Sequence, residues 1–382
     1  MSTEVFRRAT EQITRLCGEP RDLVSLWRES SEILARAVPH YWTPCFYTLD
    51  PASLLMTSHY HHGLAEIPGD WLVSEYYADD VNQLAAVARS ASGIATLHEA
   101  TGGDPARSPR WHRNMTMGGD QELIARLRTR SGEVWGALGL YREPRTPLFS
   151  AGEVDFVRSV TPLLAEAARA ALLLGQAHQP DVADAPGLLV LDRHCAVEST
   201  TPGVERRLAE LPDGDWAAGR LPSSVLALAG RTLRAAEHPD HADLVPVARV
   251  LSRTGTWIVL HGARLTSTGA PRIAVIIEQA GPGRLYPLLM SAYGLTEREK
   301  DVTRLVLQGA STSAIAAELV LSAHTVQQHL KGIFEKTGVR SRRDLIGKVF
   351  FAHYEPRLRD NERRAADDRP LRGEPWSPPP HP

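Results

Sequence analysis

Between Leu295 and Leu345 the chain places a helix start or stop signal at nearly every boundary between short apolar stretches. Thr296 followed by Glu299 has the spacing of a capping box, and Val302, Leu305 and Val306 then supply one apolar face. Gly309 ends that helix, because glycine takes a left-handed cap without a Cβ penalty. Ser311 or Thr312 starts a second helix, which buries Ile315, Ala316 and Leu319. Ser322 caps a third and Gly338 closes it. Ser341 with Asp344 opens a fourth, with Leu345, Ile346, Val349 and Phe350 facing inward. Two short helices joined by a tight turn, the second polar on one side, form the helix-turn-helix pattern, and such a helix fits the DNA major groove.

At 100° per residue, Val326, Leu330, Ile333 and Phe334 of the third helix cluster on one side and face the core. His324, Gln328, Lys331 and Glu335 fall opposite, with Gln327 on the flank and Gly332 near the outer face. Glutamine pairs bidentately with adenine, and lysine reaches guanine or a phosphate. A polar face alone fits any water-bathed helix. Four capped helices in this order favour DNA contact.

The segment resembles the LuxR-type (NarL/FixJ-type) helix-turn-helix domain. The resemblance rests on Leu295, Thr296, Arg298, Glu299, Val302, Leu305, Gly309 and Ser311. It continues through Ile315, Ala316, Leu319, Ser322, Thr325, Val326, His329, Ile333, Lys336, Gly338, Val339 and Arg342. It implies an all-α four-helix domain over residues 285–355, and base-facing positions at Gln327, Gln328 and Lys331. The expected DNA-contacting set is Thr312, Ser322, His324, Thr325, Gln327, Gln328, Lys331 and Lys336, with Ser322, Thr325 and Lys336 toward phosphates. Two positions depart from the family pattern. Thr312 replaces the usual Asn, and Gln327 replaces a usual Lys, so the target sequence is not transferable from relatives. Dimer contacts are implied on the fourth helix, whose outward residues include Arg342, Gly347 and Lys348.

A chain of 382 residues exceeds one small domain, and 43% hydrophobic with 23% charged residues is an ordinary globular composition. The net charge of -2 carries no global basic signature. From Ser291 to Glu355 nine Lys/Arg stand against seven Asp/Glu, a balance of +2. So slight a surplus calls for a homodimer on an inverted-repeat operator to accumulate phosphate contacts. Cys17, Cys45 and Cys195 are widely spaced and odd in number, which suits reduced, inert thiols and a cytoplasmic protein. The charged N-terminus is no signal peptide, and no apolar run reaches membrane-spanning length, so no membrane partner is expected.

Upstream, the chain reads as multidomain α+β. Residues 1–20 and Arg21–Val38 are helical. Cys45–Leu49 and Leu54–His59 are strands. Trp71–Tyr77 and Val81–Arg89 are short helices, and Gly102–Gly119 is a long loop. Leu123–Arg130 and Val134–Tyr141 form a hairpin. Ala151–Leu174 is a long amphipathic helix opened by a Ser150/Glu153 capping box, and a second candidate dimer surface. This order, with the phrases Cys45–Asp50 and Leu148–Val157, resembles a GAF-like α/β sensor over residues 1–175, which implies an antiparallel sheet packed against helices around a pocket. Strands Cys45–Leu49 and Val134–Tyr141 would floor that pocket, with Trp71, Tyr76, Tyr77, Trp111 and His112 at its rim. After a polar linker, a strand at Gly187–Asp192, a helix at Val204–Leu211 and strands at Ala248–Ser252, Trp257–Ala263 and Arg272–Gln279 are compatible with a small PAS-like α+β domain over 187–280. Leu285–Ala292 reads as a connecting helix. Residues 356–382 read as a disordered tail with six Arg against five acids. No internal repeat is evident.

No catalytic motif stands out, so no enzyme, cofactor or metal is expected. The phosphate-loop pattern is absent. His59, His61 and His62 lack the further ligands of a metal site and suit a solvated strand end. Asp79-Asp80 equally suits an exposed helix start. The chain thus reads as a sequence-specific DNA-binding transcriptional regulator. Its partners are double-stranded DNA, a second copy, RNA polymerase and a small-molecule effector of unknown identity. The alternative is a regulator whose N-terminal half is a protein-interaction module without ligand. Operator, target genes and the sign of regulation are not legible.

Overall fold

The computed structural model describes residues 2–61, 67–174, 186–237, 246–265, 271–280, 290–291 and 293–346. They fall into two compact units, one running to Gln279 and one beginning at Ala280.

The first unit opens with helices α1 (Ser2–Cys17) and α2 (Leu23–Ala37), the latter capped by Asp22, whose carboxylate accepts the Ser25 N–H at 2.9 Å. Strands β1 (Cys45–Leu49) and β2 (Met56–Tyr60), helices α3 (Gly69–Tyr77) and α4 (Leu84–Arg89), strand β3 (Ile94–Thr96) and helices α5 (Leu97–Ala100) and α6 (Pro109–Thr116) follow. Strands β4 (Gln121–Arg128) and β5 (Val134–Arg142) and helix α7 (Ala151–Leu174) complete this part. The sheet is antiparallel with order β2-β1-β5-β4-β3. Every residue of the central strand β5 is buried, because helices cover both faces. On one face Phe46, Leu123, Leu138 and Leu140 pack against α1, α2 and α7, with Trp27 stacked on Phe46 at 4.3 Å. The other face carries Cys45, Tyr47, Ala137 and Tyr141 toward α3 and α4. Pro162 sits inside α7, where it cannot donate to the Arg158 carbonyl. The Thr161 hydroxyl takes that oxygen instead at 3.2 Å.

A second antiparallel sheet comprises β6 (Gly187–Leu191), β7 (Val197–Thr200), β8 (Val247–Leu251), β9 (Trp257–Leu265) and β10 (Arg272–Gln279), with helices α8 (Val204–Glu210) and α9 (Ser223–Glu237). Its order is β7-β6-β10-β9-β8. Numbered within each sheet, both run second, first, fifth, fourth, third. The chain therefore repeats a topology that its residues do not repeat.

Helix α9 lies between the second sheet and α3, and its residues 222–232 are buried without interruption from the cap onward. Gly230 permits the close approach, since a Cβ there would collide with the Val73 carbonyl. One apolar cluster runs from Tyr47 and Tyr76 through Leu226 and Leu228 to Val250 and Val275. Buried polar links reinforce it. Asp50 accepts the Arg249 N–H and guanidinium, each at 3.0 Å. Asp213 accepts the His59 N–H at 3.1 Å and the Ser223 N–H at 2.8 Å.

Mixed α and β structure with antiparallel sheets is as the sequence implies, with four differences. The stretch 102–119, expected as a loop, holds a 3-10 turn at Pro105–Arg107 and helix α6, which starts on Pro109. Strands β3 and β7 and helix α9 were not anticipated. The helix expected from Val81 starts at Leu84, because Asn82 is left-handed at φ 55°. Strand β2 starts at Met56 because Leu54 makes the turn at φ 58°. Of the connecting helix expected at 285–292, only Met290 and Ser291 are described, and both are helical. The tail 356–382 lies outside the described residues.

The second unit contains α10 (Glu297–Leu307), α11 (Thr312–Leu319) and α12 (Ala323–Thr337), and a fourth helix is described over 342–346. Val302, Leu305, Val306, Ile315, Val326, Leu330, Ile333 and Leu345 form its buried interior.

Candidate functional site

Each helix of the second unit begins on a side-chain cap. The Thr296 hydroxyl accepts the Glu299 N–H at 3.3 Å while Glu299 accepts the Thr296 N–H at 2.7 Å, a complete capping box. Ser311 caps α11 through the Ala314 N–H at 3.2 Å, and Ser322 caps α12 through the Thr325 N–H at 3.0 Å. Gly309 and Gly338 take left-handed conformations at φ 84° and 67°. Between α11 and α12 the chain turns on Val320, at φ 54° and 89% exposed.

Helix α12 exposes His324, Gln327, Gln328, Lys331 and Glu335 and buries Val326, Leu330 and Ile333. The Gln328 amide lies 3.5 Å from His324 Nε2. Ser322 and Thr325 meet hydroxyl to hydroxyl at 2.8 Å at the helix start. Thr312, half-buried on α11, joins the group because its Oγ1 accepts from Gln327 at 3.5 Å. Seven of the eight residues read as DNA-contacting therefore converge on α12 and its junction with α11. Lys336 does not. Its ammonium reaches 2.6 Å to Glu299 Oε2, which ties the end of α12 to the start of α10. Burial alone would raise the Glu299 carboxyl. The Lys336 ammonium and the Thr296 N–H outweigh it and hold the group below its ordinary value.

Four further placements differ from expectation. Gly332 faces inward, and an added Cβ would lie 2.8 Å from Glu299 Oε1. Phe334 is only half-buried. Ile346 is 38% exposed. Arg342, expected on an outward dimer face, donates to the Ala310 carbonyl at 3.0 Å and to Thr312 Oγ1 at 2.8 Å. It thereby fastens the turn before α11. No local pattern signals this, because its partners lie about 30 residues upstream. Gly347, Lys348, Val349 and Phe350 lie outside the described residues.

The first sheet carries a second candidate site, a cavity of about 60 Å³ on the face toward α3 and α6. Cys45, Tyr47 and Tyr141 line it from the strands, Trp71 and Glu75 from α3, and Arg110, Arg113 and Asn114 from α6. Of the expected rim, only Trp71 is there. Tyr76 turns into the core and donates to the Leu54 carbonyl at 3.1 Å. The Tyr77 hydroxyl donates to Glu237 at 2.6 Å. Trp111 donates to Asp120 at 2.9 Å, and His112 Nε2 lies 2.8 Å from the Ala106 carbonyl. The polar wall was missed because α6 hides in a Gly-, Pro- and Arg-rich stretch.

That wall is a clamp. Arg110 donates to Glu75, to Glu122 at 3.4 Å and to the Val81 carbonyl at 3.0 Å. Asn82 and Asn114 donate to Glu122 at 3.2 and 3.5 Å. Arg113 pairs with Asp80 at 3.2 Å, and Asp80 also accepts the Ser108 hydroxyl and the Arg110 N–H, each at 2.7 Å. Burial pushes the Glu75 carboxyl up against the opposing pull of Arg110 and the Leu84 N–H. Burial also raises the Tyr47 and Tyr141 phenols and pushes the Cys45 thiol to about 12. Cys17 and Cys195 rise to about 11, so all three thiols stay protonated at neutral pH. His59 stacks on Tyr47 at 4.7 Å, and burial lowers it to about 3. His62 lies outside the described residues. Among the described residues no group of three His, Cys, Asp or Glu side chains is arranged to hold a metal, and no helix is long and apolar enough to cross a membrane.

Residues 294–349 match the family model of bacterial regulatory proteins of the luxR family. A monoamine regulon transcriptional regulator of Klebsiella aerogenes is 39% identical over 56 residues, 15% of this chain and 25% of that one. A Mycobacterium bovis protein named as an HTH-type transcriptional regulator is 38% identical over 76 residues, 20% of this chain and 9% of that one. The chain thus spans a quarter or less of these curated relatives. The Escherichia coli DhaR(N)–DhaL complex contains a chain that aligns over 73% of this one and 90% of its own length, at 11% identity and a TM-score of 0.22. The capped helices, the exposed face of α12 and the sequence match agree: residues 294–349 are a helix-turn-helix domain of the luxR family of bacterial regulatory proteins.

Proposed function

We propose that the chain is a cytoplasmic, sequence-specific DNA-binding transcriptional regulator whose first unit senses a small molecule and biases a DNA-bound homodimer. The observation that supports this best is the convergence of His324, Gln327, Gln328 and Lys331 on the exposed face of α12. Gln328 and Lys331 read base edges in the major groove, with Gln327 and His324 on the flanks. Ser322 and Thr325 bring the start of α12 to a phosphate, where free backbone N–H groups and the helix dipole favour an anion. Thr312 and Arg342 position the turn. Lys331 is the cation at the centre of the exposed face of α12, and Lys336, paired with Glu299 but still exposed, lies toward a phosphate.

A single domain of this size makes few contacts, so two copies on an inverted repeat raise affinity to the specific range. The second and first sheets, read as PAS-like and GAF-like, form the sensory part. The cavity on the first sheet takes the effector, and contact with RNA polymerase transmits the outcome. An effector shifts operator affinity only by binding the two states of the dimer unequally.

Binding-site selection on random duplex DNA with the full chain tests the reading. Gln328→Ala should lose about 1–3 kcal/mol at one base position and relax preference there. Lys331→Ala should lower affinity and reduce the salt slope by about one. An unchanged preferred sequence and affinity in Gln328→Ala would show that α12 does not dock this way.

A further inference from the structure

The cavity on the first sheet has an unequal charge count. Glu75 lines it and Glu122 stands behind, and both pair with one guanidinium, that of Arg110. The other cation of the wall, Arg113, pairs with Asp80. One carboxylate charge is therefore left over beside the cavity. A buried surplus charge is costly unless a counter-charge meets it or a proton neutralises it. The opposite side offers acceptors and π faces. The Tyr47 and Tyr141 hydroxyls lie 3.4 Å apart, too far to satisfy each other fully, so both retain acceptor capacity. Trp42 sits against Tyr141 at 4.7 Å, and Trp71 closes the rim.

We propose that this cavity binds a small organic ammonium ion of roughly two to four heavy atoms. The assignment rests on the sensory reading of the first sheet. The ammonium N–H groups donate to Glu75 and to the phenol oxygens, and its alkyl part lies on Trp42 and Trp71, whose ring faces attract a cation. Size follows from volume, because a cavity of about 60 Å³ holds only a few water-sized groups. Sugars and nucleotides are too large. An anion would add to the surplus, and a neutral solute would leave it unmet. Burial pushes the Glu75 carboxyl up and the nearby Glu122 carboxylate adds to it, so without a cation the site sheds its surplus by taking up a proton at Glu75.

Calorimetric titration of the full chain with methylammonium, ethylammonium and ethanolamine chlorides tests this, against sodium chloride, sodium acetate and acetamide. Ethylammonium and ethanolamine should bind saturably and raise the melting temperature by several degrees, while acetate and acetamide do neither. Glu75→Gln should weaken binding at least about tenfold. Should that variant fail to fold, Trp71→Leu at the half-buried rim should weaken it about fivefold. Saturable acetate binding, equal binding of acetamide, or no saturable uptake of any ammonium ion overturns the proposal. Operator retention in the same titrations separates the two readings. Intact operator binding without ammonium uptake removes the ligand class alone. Ammonium uptake that leaves operator affinity unchanged removes the sensory role and keeps the site.

Discussion

The two sheets of the first unit share one strand order and use it differently. In the first, the face toward α3 and α6 carries phenols, a thiol and a carboxylate–guanidinium clamp around a cavity. In the second, α9 lays Leu228 against β9, and the cluster there is dominated by aliphatic side chains. Topology alone therefore does not decide which sheet holds a site. What decides is whether the covering helix seals the sheet with aliphatic side chains or stands off on charged ones. Helix α3 belongs to both arrangements. Trp71, Leu72 and Glu75 face the cavity, while Val73 and Tyr76 pack toward α9. A displacement of α3 would be felt in both sheets.

The largest expected effect comes from the clamp. Arg110→Ala removes the cation that pairs with both Glu75 and Glu122 and should cost about 3–5 kcal/mol. Urea unfolding of the full chain measures it. Leu228→Ala, on the aliphatic side, should cost about 2–5 kcal/mol by loss of packing and be insensitive to pH. A pH-independent loss in Arg110→Ala would erase the proposed difference between the sheets.

Gly230→Ala tests the shared helix. The new methyl meets the Val73 backbone, which cannot swing away as a side chain tip would. We expect a loss of about 1–3 kcal/mol, with amide exchange accelerating in both sheets. Exchange confined to β6–β10 would show that α3 does not couple them.

The pH response gives a finer comparison, between two glutamates. Glu75 is raised on folding, so its contribution is complete below about pH 4.5 and is lost as pH rises through its folded value. Glu299 is lowered, so its contribution is present above pH 4.5 and lost as pH falls through its folded value. Stability measured from pH 3 to 8 should therefore respond with opposite sign in Glu75→Gln and Glu299→Gln, the latter losing about 1–3 kcal/mol at neutral pH. Equal signs would mean that the surplus charge at the cavity is already compensated.

What was legible in the residues divides along the same physical line. Helices α10 to α12 could be read because caps are local: Thr296 to Glu299, Ser311 to Ala314 and Ser322 to Thr325 each span three residues. Helix α7 was legible from Ser150 and Glu153, which accept each other's N–H groups. Helix α9 was not, because burial on both sides erases the apolar–polar period that marks a surface helix. The clamp was not, because Glu75 and Glu122 reach Arg110 from 35 and 12 residues away. The same holds for Lys336, whose partner lies 37 residues upstream. Its outward-looking position on the helix gave no hint of an inward bond.

The smallest effect concerns the turn that sets α12 against α11. Val320 is left-handed and 89% exposed, so its side chain contributes little packing while its β-branch strains the backbone. Glycine accepts that conformation without a Cβ penalty, though it loses more freedom on folding. The strain relieved is about 1–2 kcal/mol and the added entropy cost about 0.5–1 kcal/mol, so Val320→Gly should stabilise the second unit by up to about 1 kcal/mol. Amide exchange in α11 and α12 of the full chain should slow by up to about fivefold, with the two sheets unchanged. Faster exchange in α12 would mean that the valine methyls pack against a surface of their own, and that the turn is held by contact and not by backbone conformation.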